Sequence, residues 1–107
     1  MRHDERILGK SGVNRQIDVS VRYHLGEFEI FVAVDCKDWQ KPVDIGDVGA
    51  FADLVEDVRA NKGAMVCNAG FTSGAKLRAV EKGIDLFKAV DAETRDQDTL
   101  GKTKRKR

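Results

Sequence analysis

The sequence has one proline, two cysteines, no apolar run longer than five residues and a net charge of only +1. Each scarcity removes a class of protein. The longest unbroken apolar stretch is Ile30–Val34, so no segment reads as a membrane-spanning helix or as the core of a signal peptide. Cys36 and Cys67 form no CxxC or Cys/His spacing, which argues against zinc. Both lie in apolar strand-like runs, where a free thiol behaves as a small hydrophobe; the expectation is a protein of the reducing cytoplasm. Gly9-Lys10-Ser11-Gly12 lacks the upstream glycine of a phosphate loop and precedes a strand rather than a helix, so it reads as a turn. There are no internal repeats.

What is present is enough chain for one soluble domain. At 107 residues, 41% hydrophobic and 35% charged, it can bury a modest core without staples. The charge is unevenly spread. The last seven residues, GKTKRKR, hold five bases, while residues 1–100 carry 14 bases against 18 acids. The expected organisation is a single domain over residues 1–100 and a basic, disordered tail over 101–107 that can hold phosphates non-specifically.

The clearest pattern lies in residues 15–37. Ile17, Val19, Val21 and Tyr23 alternate with Asp18, Ser20, Arg22 and His24, the period of a half-buried strand. A second run alternates likewise, with Phe28, Ile30, Val32, Val34 and Cys36 on one side and Glu29, Phe31, Ala33, Asp35 and Lys37 on the other. Gly26-Glu27 fits a two-residue type II′ turn, glycine supplying the positive φ. The register then pairs Leu25 with Phe28, Tyr23 with Ile30, Val21 with Val32 and Val19 with Val34, and sets Asp18 opposite Asp35. A one-residue slip would break every match.

Two carboxylates facing each other across a ladder repel, and a bound divalent cation offsets that. Asp18 and Asp35, with the backbone carbonyl of Cys36 and waters, make an oxygen set suited to Mg²⁺, with Mn²⁺ as an alternative. Lys37 shares the face of Asp35 and can neutralise charge building on a phosphate in its transition state. This pattern fits metal-dependent phosphodiester cleavage.

The remainder reads as alternating helix and strand. Residues 1–14 are weakly patterned, with Asp4–Leu8 a helix stub. Asp44 caps a helix with Asp47 in its first turn; Ile45, Val48, Phe51, Ala52, Val55 and Val58 form its apolar stripe, and its end falls near Asn61. Asp53, Glu56 and Asp57 read as its solvated face. Ala64–Ala69 reads as a buried strand, Thr72 or Ser73 as the cap of a helix to Lys82 closed by Gly83, and Ile84–Val90 as a last strand. The fold class is therefore α/β: a mixed sheet, hairpin then α-β-α-β, flanked by helices. The start of the second helix offers free N–H groups to a phosphate, so Thr72, Ser73, Lys76 and Arg78, with Arg15 and Lys41, are candidate DNA contacts. Trp39 reads as packing on the core.

Asp18 followed by Asp35-Cys36-Lys37 resembles the PD-(D/E)xK signature of restriction-endonuclease-like nucleases. VDCKDWQKPVDIGDVGAF and MVCNAGFTSGAKLRAVEKGIDL are similar to the Mrr-type branch, and the likeness covers residues 11–90. It implies a restriction-endonuclease-like core and Mg²⁺-dependent DNA cleavage in a restriction or defence setting, with Asp18 and Asp35 as metal ligands and Lys37 as the catalytic lysine. The branch carries another carboxylate ahead of the first strand, for which Glu5 is the candidate here, and Asp35 replaces its commoner glutamate. Cutting both strands with one site per chain implies a homodimer. The alternatives are a Holliday-junction or flap-resolving nuclease of the same fold, and a weakly active DNA-binding or assembly module.

Overall fold

The computed structural model describes residues 1–89, so the expected end of the last strand at Val90 and the basic tail lie outside the described residues. The elements run β1 (Arg2–Leu8), β2 (Asn14–Leu25), β3 (Phe28–Lys37), α1 (Ile45–Asp57), β4 (Lys62–Cys67), α2 (Ser73–Lys82) and β5 (Ile84–Lys88). They build one five-stranded mixed sheet in the order β1-β2-β3-β4-β5, antiparallel from β1 to β3 and parallel from β3 to β5. The α/β class, the mixed sheet and the order after the hairpin are those read from the sequence.

The hairpin register is also as read: Leu25 pairs with Phe28, Tyr23 with Ile30, Val21 with Val32 and Val19 with Val34. Gly26 has φ +61, as the first position of a II′ turn demands. The ladder stops at Val19–Val34, so Asp18 and Asp35, read from the sequence as directly opposed, do not form a ladder pair. Beyond it, the Cys36 N–H donates to Asp18 Oδ2 at 2.9 Å rather than to a strand carbonyl. Ile17 and Ser20 are both buried, although three positions apart on β2.

The Asp4–Leu8 helix stub is a correction: these residues are β1, paired to β2 through Glu5–Ile17, Arg6–Gln16, Ile7–Arg15 and Leu8–Asn14. Charged side chains do not stop an edge strand whose backbone finds a partner ladder. The first helix is shorter than expected. It ends at Asp57, and Arg59 takes φ +60, a left-handed exit made without glycine. At its start Asp44 and Asp47 form a reciprocal capping box, with both bonds at 3.0 Å. The second helix is capped by Thr72, whose Oγ1 accepts from the Ala75 N–H at 3.1 Å, and closed by Gly83 at φ +71.

The two parallel crossovers step the same way across the sheet, and α1 packs against α2. Both helices therefore cover one face. Ile17, Phe31, Ala33, Met65 and Cys67 from the sheet meet Val48, Phe51 and Val58 from α1 and Ala75 and Ala79 from α2 there. Gly63 of β4 lies under α1, where a Cβ would sit 2.6 Å from Val55 Cγ2. The covered face is the one bearing Phe31, Ala33, Asp35 and Lys37, not the all-apolar face of the hairpin. On that other face Tyr23, Leu25 and Phe28 are exposed.

Candidate active site

Asp35 and Lys37 lie at the C-terminal end of β3, beside the parallel strand β4. Met65 flanks Asp35, and Cys67 flanks Lys37, on β4. The pleat therefore aims the Asp35 and Lys37 side chains past the core into a cleft of about 240 Å³, lined by Arg15, Asp35, Lys37, Asp47, Ala50, Phe51 and Leu54. The C-terminal edge of parallel strands is where α/β sheets commonly place their chemistry.

Three of the residues named from the sequence meet here. Lys37 Nζ lies 3.0 Å from Asp35 Oδ2, both side chains largely shielded. The Asp18 carboxylate on β2 is near enough for its charge to bear on Asp35, and its Oδ2 accepts from the Cys36 N–H at 2.9 Å. Burial raises the Asp35 pKa, Lys37 opposes that rise, and the neighbouring Asp18 charge adds to it. The Cys36 thiol is pushed up by burial and by the same two carboxylates.

Asp35 Oδ2 is buried and has no hydrogen-bond partner among the described residues. The Lys37 contact at 3.0 Å is an ion pair by distance without hydrogen-bond alignment. A buried carboxylate oxygen left in that state is costly, and a hard cation is what its charge and its Asp18 neighbour fit. Among the described residues no cluster of three or more His, Cys, Asp or Glu side chains is placed to hold a metal; two carboxylates converge. Lys37 also lies over the Trp39 ring, its Nζ 4.6 Å from the centroid. Trp39 packs against the core, and its backbone N–H donates to Asn68 Oδ1 at 2.8 Å. The ammonium is thus held between an anion and an aromatic face.

The other candidates are placed as follows. Glu5 Oε1 accepts from Ser20 Oγ at 2.6 Å and from Arg22 Nη1 at 2.8 Å, and those two partners hold its carboxyl below the ordinary range. Arg22 in turn stacks over Phe31 at 4.2 Å. Glu5 is therefore committed to a structural pair on β1 and β2. Arg15 lines the cleft. Thr72 serves as a helix cap, Arg78 pairs with Glu81 at 2.8 Å, and Lys41, Ser73 and Lys76 are exposed.

One residue read from the sequence as solvated is buried: Asp57, 7% exposed. It accepts from Ser11 N–H, Ser11 Oγ and Arg15 Nη1, each at 2.8 Å. Its partners are more than forty positions away in sequence, so no local pattern signals it. Asp47 and Phe51 were read only for capping and packing, yet both also line the cleft.

Comparison with known proteins gives three findings. A family model described as restriction endonuclease, Mrr_cat, matches residues 4–92. A protein of unknown function designated AF1548 superposes with a TM-score of 0.68 at 22% identity, over 79% of this chain and 46% of that one. A repair endonuclease from Pyrococcus abyssi superposes with a TM-score of 0.51 at 19% identity, over 83% of this chain and 37% of that one. The chain spans less than half the length of either structure, and at these identities the likeness is one of fold. No curated protein matches the sequence.

Proposed function

Because the chain belongs to the Mrr_cat restriction endonuclease family, we propose that it hydrolyses DNA phosphodiester bonds with a divalent cation, Mg²⁺ or Mn²⁺, held by Asp18, Asp35 and the Cys36 carbonyl. The observation that carries this reading is the buried Asp35 Oδ2, which has an ion pair to Lys37 at 3.0 Å but no aligned hydrogen bond, beside a second carboxylate. Buried carboxylate oxygens in a core built for stability alone are satisfied by aligned hydrogen bonds.

When bound, the cation supplies Lewis acidity to a phosphate oxygen and a lowered pKa to an attacking water. The protein's own part is placement. The Cys36 N–H holds Asp18 in the rotamer that meets Asp35. Asp35 and Trp39 hold the Lys37 ammonium, so its remaining N–H groups can orient a water or neutralise charge developing on the phosphate. The cleft beneath α1 admits the sugar–phosphate backbone, and the apolar wall of Phe51 and Leu54 limits stray water. Both strands are cut by a homodimer, one site from each copy.

The test is nicking of supercoiled plasmid in Mg²⁺ or Mn²⁺. Wild type should nick, while Asp35→Asn and Lys37→Ala should lose at least ~100-fold in rate, the scale of removing one transition-state contact, with their circular dichroism unchanged. Undiminished nicking by either variant would remove these residues from the site.

A further inference from the structure

We propose that Asp57 is a positioning residue. Clamped by Ser11, its carboxylate holds the Arg15 guanidinium on the cleft wall with Asp35 and Lys37, where Arg15 grips a backbone phosphate flanking the one that is cut. This deepens the nuclease reading and rests on it.

Asp57 anchors the turn after β1 and, through Arg15, also faces the cleft. Asp57 is the last residue of α1. A negative charge there opposes the helix dipole, so helix stability does not account for it. Next, the turn after β1 is shaped around this carboxylate. Ser11 gives it both its N–H and its Oγ, the Lys10 N–H donates to the Asp57 backbone carbonyl at 2.8 Å, and a Cβ at Gly9 would collide with the carboxylate. Finally, the group so held faces the site. Arg15 is 26% exposed in its side chain and shares the cleft with Asp35 and Lys37. Among the described residues only its Nη1 has a hydrogen-bond partner. A guanidinium has five N–H donors in a fixed fork, so the others remain for a phosphate.

The proposal makes a prediction whose sign separates it from plain electrostatics. Asp57→Asn keeps the size of the side chain and an acceptor oxygen for Ser11, but makes the protein one charge more positive. If Asp57 only pinned the turn, the added positive charge would leave DNA binding equal or tighter. If it positions Arg15, binding weakens despite the charge.

The experiment measures the dissociation constant of the full chain for a short labelled duplex in Ca²⁺ across a salt series, together with the unfolding temperature of each variant. Arg15→Gln should bind about 10-fold more weakly, with the slope of log Kd against log salt smaller by about one. Asp57→Asn should bind at least ~3-fold more weakly, about 0.6 kcal/mol. The double variant should be no weaker than Arg15→Gln alone. If Asp57→Asn does not fold, Arg15→Lys decides: charge is conserved, but an ammonium lacks the fork that bridges carboxylate and phosphate, so binding should again weaken. Binding by Asp57→Asn, or in its stead Arg15→Lys, as tight as wild type overturns the proposal. Wild type that nicks plasmid alongside such a result leaves the nuclease reading standing; wild type that neither binds duplex nor nicks plasmid sinks both.

Discussion

Adding one methyl group at Gly63 tests how the packing under α1 supports the site. The Cβ of Gly63→Ala would lie 2.6 Å from Val55 Cγ2 and 3.0 Å from both Phe51 Cε2 and Ile84 Cδ1. All three contacts are core side chains pinned between sheet and helix, so relief requires α1 to lift or Phe51 to leave its rotamer. Overpacking of this kind costs ~1–3 kcal/mol, while replacing glycine within a strand returns roughly 0.5–1 kcal/mol of backbone entropy. The net is a destabilisation of ~0–2.5 kcal/mol, about 1.2 kcal/mol at the midpoints of the two ranges. For a domain of this size each kcal/mol moves the unfolding temperature by ~4–8 °C, so the midpoint corresponds to a fall of roughly 5–10 °C in a circular-dichroism melt. Phe51 also lines the cleft, so nicking should slow even well below the new melting temperature. A raised melting temperature would refute the claim that β4 is closed under α1 at this point.

Replacing the ionised carboxylates should act on stability with opposite signs. The Asp35 pKa is raised, chiefly by burial, so its charged form is worse off folded than unfolded. Its contribution improves as pH falls through the folded pKa, and Asp35→Asn should raise the melting temperature at pH 7 with the gain vanishing in acid. Glu5 is lowered by Arg22 and Ser20; its contribution is present above its unfolded pKa and is lost as pH falls through the folded one. Glu5→Gln should therefore melt lower at pH 7 and converge with wild type in acid, and melts from pH 3 to 8 that show the reverse order would contradict both assignments. Thr72→Ala removes the acceptor for the Ala75 N–H and should cost ~1 kcal/mol, recovered by Thr72→Ser; equal melts for Ala and Ser would show that the cap contributes nothing.

The hairpin was legible because its signals are local. Two runs of period two and one glycine turn fix a register in which a slip is costly; continued one pair past its end at Val19–Val34, that register points Asp18 towards Asp35. Asp44-x-x-Asp47 and Thr72 announced the helix starts in the same way. Other features depend on partners far along the chain. Arg2–Leu8 has no apolar alternation, and its strand is made by the ladder that β2 offers. Asp57 sits in an acidic stretch that looks solvated, and only Ser11 and Arg15 reveal its burial. The hairpin has an all-apolar side, but the crossovers place both helices on the other face, that of Phe31 and Ala33. The site therefore lies at the edge of the core, where a carboxylate can be shielded from water, instead of on an open polar surface.

Calorimetric titration of Mn²⁺ into the wild type, Asp18→Ala and Asp35→Asn examines the pair of carboxylates itself, before any DNA is added. The wild type should bind one cation per chain, and each variant should bind at least ~10-fold more weakly, about 1.4 kcal/mol. Equal affinity in all three proteins, or no binding to the wild type, would contradict the account.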